Sequence, residues 1–546
     1  MGKTWILMVT WAIMLSGMEA FACTGLLVGK KASVDGSVMI SYAADSHTLY
    51  GELYRWSAAT WPKGAMLDII EWDTHKPLGQ IPQVEQTYSV VGNMNEHQVA
   101  ITESTFGGRP ELVDTTGIMD YGSLIYVTLQ RSKTAREAIR IMTDLVKDYG
   151  YYSSGETFSI ADKNEAWVME MIGKGPGNKG AVWVAIRIPD DCISAHANQS
   201  RIQQIPFDDK ENCIYSPDVV SFAREKGYFS GRDKDFSFQK AYCPYDFSAL
   251  RGCEARVWSF FRKYDKSMDQ YMDLIKGDVM KKPMPLYVKP DRLLSVRDVQ
   301  NGMRDHFEGT DLDMTKDAGA GPYKVPYRWR PMTFEVDGQE YTNERAIATQ
   351  QTGFVIVPQM RNWLPDAVGG ILWFGVDDAD MAVFTPIYCS VTASPECYRV
   401  GNGDMMNFSW TSAFWIHNWV ANMAYGKYSY MIQDIRLVQQ ELENSYQQTI
   451  PAVDKAASEL YAKNPAEAVK FLTWFSSTTA DQATARWKKL GEYLLVKYMD
   501  GNVKKEENGH FKQNGYGLSE YPDFPGYDED YYRSIVKSAG DKLKVK

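Results

Sequence analysis

EAFACTGLL, residues 19–27, closes an N-terminal apolar segment and holds the first cysteine of the chain, Cys23. The fold and the chemistry both turn on what that cysteine is. It is half of a disulfide, a lipid anchor, or a nucleophile created when the segment before it is removed. Lys3 supplies a positive start, Trp5 to Leu15 is an apolar run, and Ala20-Phe21-Ala22 is an A-x-A cleavage site, so residues 1–22 have the three parts of a secretory signal peptide. The mature chain is then expected to begin at Cys23 and to be exported, periplasmic or extracellular. The apolar run is shorter than the roughly 20 residues a membrane-spanning helix needs, and no later stretch is apolar over that length. No stable membrane insertion is expected.

The chain has 546 residues, enough for one large domain with appendages or for two domains. Charged residues make up 23% and the formal net charge is −10, with Lys and Arg scattered along the sequence. Nucleic acid or anionic membrane would favour a basic patch, so neither is expected as a partner. Seven cysteines in an exported protein read as three disulfides and one left over. Cys243 with Cys253, and Cys389 with Cys397, are near enough to bridge, which leaves Cys192 with Cys213; spacing alone does not prove these pairs. The cysteine left over is Cys23.

Outward from the quoted stretch, Cys23 to Gly29 and Ser37 to Ser41 are short apolar runs joined by KKASVDG, whose Asp35-Gly36 is a turn signal. The mature N-terminus is therefore expected to be the first strand of a hairpin. Strand pairs follow at Tyr88 to Val91 with Val99 to Ser104 and at Thr157 to Ile160 with Ala166 to Met171, and Ala181 to Ile188 is another β-rich run. Thr134 and Glu137 form a capping box ahead of Ala138, Ile141, Met142 and Leu145 at helical spacing. A second β-rich zone spans Gly353 to Tyr388. From about residue 405 the pattern turns helical, over Tyr428 to Tyr446, Pro465 to Ser476 and Thr479 to Met499, and ends in a polar, aromatic, loop-like tail. Hairpins separated by helices point to an α+β chain of layered sheets and helices, not to a doubly wound parallel sheet.

A cysteine at the start of a chain is chemically distinct, because its own α-amine can take its thiol's proton. The amine's reference pKa of about 7.7–8.0 lies close to the thiol's value of about 8.5, so no separate catalytic histidine is required. The seven histidines show no H-x-x-x-H spacing and no signature beside a cysteine. Neither a metal nor an organic cofactor is expected. A lipoprotein cysteine is the competing reading; that processing favours a leucine-like residue three places before the cysteine and small residues beside it, whereas these places hold Ala20, Phe21 and Ala22.

Cys23-Thr24-Gly25, the turn at Asp35-Gly36 and a strand closing on Asp45 resemble the opening of the N-terminal-nucleophile cysteine hydrolases, most closely their secreted dipeptidases. Choloylglycine hydrolases and penicillin V acylases are more distant relatives with the same opening. The resemblance continues through GNMNEHQVAITESTF (92–106), SAHANQSRI (194–202), EARVWSF (254–260), GGILWFGVDDADMAVFTPIY (369–388) and RWKKLGEYLLVKYMDGN (486–502). It implies a four-layer αββα sandwich of two antiparallel sheets between helices over residues 23–404, followed by a helical appendage and loop-rich tail over 405–546. It also implies hydrolysis of dipeptides through a thioester on Cys23, with an N-acyl amino acid or bile-salt amide as the alternative substrate.

By position, the resemblance makes Asp45 the residue that holds the nucleophile's amine, Asn198 the donor to the oxyanion, and Arg256 the arginine that supports the site. Glu103 and Thr105 fall on the strand that lines the substrate pocket in relatives, and Glu103 or Asp45 is expected to receive the ammonium of a dipeptide. Relatives often carry Arg-Asn shortly before the aspartate, whereas this chain reads Tyr42-Ala43-Ala44-Asp45. A nearby guanidinium favours the thiolate, so Arg256 is expected to carry more of that role here.

Overall fold

In a computed structural model that describes residues 23–545, the strand Gly25–Val28 follows directly on Cys23 and pairs antiparallel with Val38–Ile40, across the turn at Asp35-Gly36. Asp35 builds that turn by accepting from both the backbone N–H and the hydroxyl of Ser37, and Gly36 adopts φ +82. The expected signal peptide, residues 1–22, lies outside the described residues. On its other edge Gly25–Val28 pairs with Ile193–His196, placing Gly25 opposite His196. A Cβ at Gly25 would come within 2.5 Å of the His196 ring, so the close approach of these strands requires glycine.

These strands belong to the first of two eight-stranded antiparallel sheets. It runs Tyr287–Val288, Ile193–His196, Gly25–Val28, Val38–Ile40, Thr352–Met360, Ile371–Val376 and Thr385–Tyr388, with Tyr42–Asp45 also paired to Thr352–Met360. The second runs Cys213–Tyr215, Ala181–Ile188, Ala166–Gly173, Gly155–Ala161, Ala100–Gly107, Met94–Asn95, Val90–Val91 and Arg55–Trp56. Central strands of both are buried along their whole length, as in Thr352–Met360 and Ala166–Gly173. The two sheets face each other: Gly25–Val28 and Val38–Ile40 pack on the second sheet, and the Thr102 hydroxyl donates to the Ser41 carbonyl across the gap.

Helices cover the outer faces. Tyr121–Leu129 and Ala135–Tyr149 lie on the second sheet, while Ala255–Arg262, Val296–Met303 and Pro465–Lys497 lie on the first. Thr134 caps Ala135–Tyr149 by accepting from Glu137 N, but the Glu137 carboxylate turns to Lys133 N and not to Thr134 N, so only half of the capping box forms.

The C-terminal region is helical, as Ala413–Tyr425, Tyr428–Lys463 and Pro465–Lys497. The sequence divides the last two differently. Tyr428–Lys463 continues through Pro451, because burying Ile450, Val453 and Ala457 beside it offsets a cost of about 3 kcal/mol for a proline inside a helix. Pro465–Lys497 also runs unbroken through Ser476 to Thr479, poor helix formers, where the buried Ser476 hydroxyl accepts from Tyr388 N and pins the helix to a strand of the first sheet.

Arg361 ties the long helix to the sheet. It holds the Asp454 carboxylate, which also accepts from the Tyr388 hydroxyl at 2.7 Å. Asp454→Ala would leave that guanidinium buried without its counter-charge, and is expected to destabilise the fold by about 3–5 kcal/mol in urea unfolding.

The expected disulfides do not form: Cys192, Cys213, Cys243, Cys253, Cys389 and Cys397 are all free, as is Cys23. For Cys389 and Cys397, nearness in sequence is not nearness in the fold. Cys389 packs in the core between the two sheets and Cys397 in the core under the C-terminal helices. Cys243 ends a short helix with its sulfur against the Phe106 carbonyl, and the Cys192 sulfur faces the Asp191 carboxylate.

Candidate active site

Cys23 sits at the mouth of the first strand, where Thr24 exchanges backbone hydrogen bonds with Ala43 and so brings the cysteine alongside Tyr42–Asp45. The side chain is 4% exposed. Its sulfur lies 3.5 Å from Glu103 Oε1 and 3.6 Å from the Tyr42 hydroxyl, and that hydroxyl in turn donates to the same Glu103 oxygen. Cys23 and Tyr42 come from one sheet and Glu103 from the other, so the thiol lies in the seam between them. Burial pushes the thiol well above its usual range, and the negative charges of Glu103 and Asp45 add to the rise. A thiol held neutral in this way could act as a nucleophile only with a proton acceptor within reach.

Asp45 is fully buried. Its carboxylate accepts from Arg345 Nη2 at 2.5 Å and from the Thr352 hydroxyl at 2.6 Å. Burial raises its pKa and the Arg345 guanidinium opposes that rise. Nothing in the sequence marked Arg345: it stands in an irregular segment, and its role depends on a fold contact 300 residues away in sequence.

Asn198 follows the strand Ile193–His196 in the left-handed region at φ +56, a conformation asparagine tolerates well. That turn aims its carboxamide back at the seam. Oδ1 accepts from Arg256 Nη2 at 2.9 Å and Nδ2 donates to the Thr105 carbonyl at 2.7 Å. Arg256, on the helix Ala255–Arg262, is 1% exposed and donates to the carbonyls of Cys23, Ala197 and Gly252 and to the Thr24 hydroxyl. Burial lowers its pKa to about 10, which leaves it charged.

Arg256 thus fixes Cys23 through its backbone carbonyl and Asn198 through its amide. The strongest influences on the sulfur's pKa are burial and then the two carboxylates, and Arg256 is not among them. Tyr42 places a hydroxyl, not a cation, in contact with the sulfur.

Glu103 and Thr105 are brought to the site, but beneath its floor and not on the cavity wall. Glu103 is 1% exposed, and the Thr105 hydroxyl donates to Glu156 Oε1 at 2.7 Å. Burial raises Glu103 to about 7, and Glu156 is raised well above its usual range by burial and then by the Glu103 charge. His196 lies between the Ser104 and Ser159 hydroxyls at 2.6 and 2.7 Å, and burial holds its pKa down to about 3, so it is a neutral bridge between the sheets. Among the described residues no group of three or more His, Cys, Asp or Glu is arranged to hold a metal ion.

Above the thiol opens a cavity of about 470 Å³, within the range of small-molecule sites. Cys23, Tyr42 and Asp45 line it, as do the aromatic rings of Tyr54, Trp56, Trp72 and Tyr126 and the carboxylates of Glu52, Asp73 and Asp404. Trp56 stacks on Tyr126 with centroids 4.9 Å apart, and Tyr54 meets Trp72 edge-on at 4.8 Å. Asp73 accepts from the Tyr121 hydroxyl at 2.9 Å, and burial raises it to about 6. No motif or spacing in the sequence marks these residues.

A model of peptidase family C69 matches residues 22–58 and 52–441. Among curated relatives, a "Probable dipeptidase" of Latilactobacillus sakei is 27% identical over 486 residues, covering 84% of this chain and 92% of the relative. A "Probable dipeptidase" of Salmonella dublin is 26% identical over 410 residues, covering 70% and 84%. "Dipeptidase A" of Lactobacillus helveticus is 24% identical over 455 residues, covering 79% and 86%.

Proposed function

The chain belongs to peptidase family C69, a cysteine-peptidase family of N-terminal-nucleophile type, and from that premise we propose that it is an exported dipeptidase whose nucleophile is Cys23. The observation that carries the reading is the Cys23 thiol at the base of a 470 Å³ cavity, its carbonyl held by Arg256 and its neighbours Asp45 and Asn198 fixed by buried hydrogen bonds. The two antiparallel sheets and their flanking helices support reading the fold as the four-layer αββα sandwich of such enzymes. Removal of residues 1–22 frees the α-amine of Cys23, which accepts a proton from the thiol, with Asp45 orienting the amine. The sulfur adds to the peptide carbonyl, and Asn198 with a backbone N–H stabilises the oxyanion; one such donor is typically worth about 10²- to 10³-fold in turnover. Collapse leaves a thioester and releases the second amino acid, and water then frees the first.

The names of the relatives favour a dipeptide, and the cavity has room for one. No helix among the described residues is long and apolar enough to cross a membrane. The test is release of free amino acids from a panel of dipeptides, set beside N-acyl amino acids and bile-salt amides at equal concentration. Cleavage of dipeptides at least tenfold faster is expected. Preference for the acyl amides would overturn the substrate assignment.

A further inference from the structure

Glu103 touches the sulfur, yet the mechanism above gives it no part. Its Oε1 receives both the Cys23 thiol and the Tyr42 hydroxyl, while its buried Oε2 meets no conventional donor among the described residues. Glu156 lies on the neighbouring strand opposite Thr105, and therefore on the same sheet face, one diagonal step from Glu103. Its Oε1 accepts from Thr105, and its Oε2 is likewise without a conventional donor.

Two buried carboxyl groups side by side cannot both carry charge, so they share a proton, and the two orphan oxygens become one hydrogen bond. Glu156 keeps that proton, because burial and the charge of Glu103 both favour its neutral form. The other titratable groups facing the pair are Cys23 and Tyr42 from the opposite sheet and Asp73, Tyr121 and Tyr151 from the segments packed around it. No cation is among the strongest influences on either carboxyl. Among the described residues, Glu103 is the carboxyl with a hydrogen-bond contact to the sulfur, and so the one placed to exchange a proton with it.

We propose that Glu103 is a catalytic acid–base residue, which takes the Cys23 thiol proton as sulfur attacks and returns it to the departing amine. The proposal rests on the reading of Cys23 as nucleophile. In the first step the S–H bond breaks with its proton going to Glu103 Oε1, a C–S bond forms, and the carbonyl π pair moves onto oxygen. In the second the π bond re-forms, and the C–N bond breaks with its pair kept by nitrogen, which takes the proton from Glu103. Tyr42 is a positioning residue: its hydroxyl holds Oε1 beside the sulfur and favours the carboxylate. The thiol then has two acceptors within reach, the α-amine and Glu103, and each attack delivers its single proton to one or the other.

Glu103→Gln and Tyr42→Phe in the mature enzyme test this by two readouts. In Glu103→Gln, kcat on a cleaved dipeptide is expected to fall about 10²-fold with little change in KM, and the acid limb of the kcat/KM profile that belongs to Glu103 is expected to vanish. Independently of turnover, the pH midpoint for alkylation of Cys23 by iodoacetamide is expected to move down, because a negative neighbour has been removed. Tyr42→Phe keeps the charge but removes a donor that favours the carboxylate, so the acid limb is expected to move up. An acid limb unmoved in folded Glu103→Gln, at any kcat, overturns the proposal. Should Glu103→Gln fail to fold, an unmoved limb in Tyr42→Phe overturns it alone. Neither result touches Cys23 itself, whose role is read from its own substitution.

Discussion

Cys23→Ala is expected to lower dipeptide turnover by about 10⁴- to 10⁶-fold while the protein still folds. The magnitude is that of deleting a covalent nucleophile, which leaves only binding and oxyanion stabilisation to act on an uncatalysed water. Folding survives because little of the local structure hangs on the sulfur. The Tyr42 hydroxyl keeps its acceptor on Glu103, and Arg256 keeps the Cys23 carbonyl, which alanine also provides. A melting temperature close to that of the parent would show that the loss is chemical. Activity within tenfold of the parent, in a sample free of other peptidases, would remove Cys23 from the mechanism.

The second large effect concerns the start of the chain. A protein kept with residues 1–22 attached has an amide nitrogen at Cys23 in place of an amine. An amide is not basic and cannot accept the thiol proton, so the chain loses one of the two acceptors proposed for it. Turnover is expected to drop by about 10²- to 10⁴-fold, the range of general base catalysis, and to recover once those residues are removed. Intact mass identifies each species, and it also separates a free Cys23 from a lipid-modified one. Equal kcat from a chain shown to retain Met1 would exclude the α-amine as a base.

Much of the frame was legible from local pattern. Alternating and fully apolar runs mark strands wherever one sheet face meets the other, and Asp35-Gly36 fixes the first hairpin because few residues tolerate its backbone. Ala181–Ile188 matches its apolar run to the residue, since both of its ends are set by turns. The two long C-terminal helices were harder to read. Pro451 and the run from Ser476 to Thr479 carry breaker chemistry, and only tertiary burial overrides it.

Asp45, Asn198 and Arg256 were reachable through resemblance, and the fold brings them around Cys23. What each of them does there could not be read, because roles depend on partners. Arg256 looks like a helix surface charge until its buried acceptors are known, and the sequence alone does not reveal that Arg345 and Thr352 hold the Asp45 carboxylate. Glu156 had no signal at all, since a glutamate in an apolar strand is legible as a proton partner only once the register sets it diagonal to Glu103. The expected Cys389–Cys397 bridge failed for the related reason that spacing says nothing of which core a cysteine enters.

The most direct test of the account is to trap the acyl-enzyme. The mature protein is mixed with a cleaved dipeptide, quenched in acid within the first turnovers, digested and weighed by mass spectrometry. The account predicts that the N-terminal peptide beginning at Cys23 gains the mass of the substrate's first amino acid less one water, and that mild hydroxylamine removes the gain, as a thioester requires. Turnover under the same conditions with Cys23 unmodified, and the added mass on another residue, would contradict it.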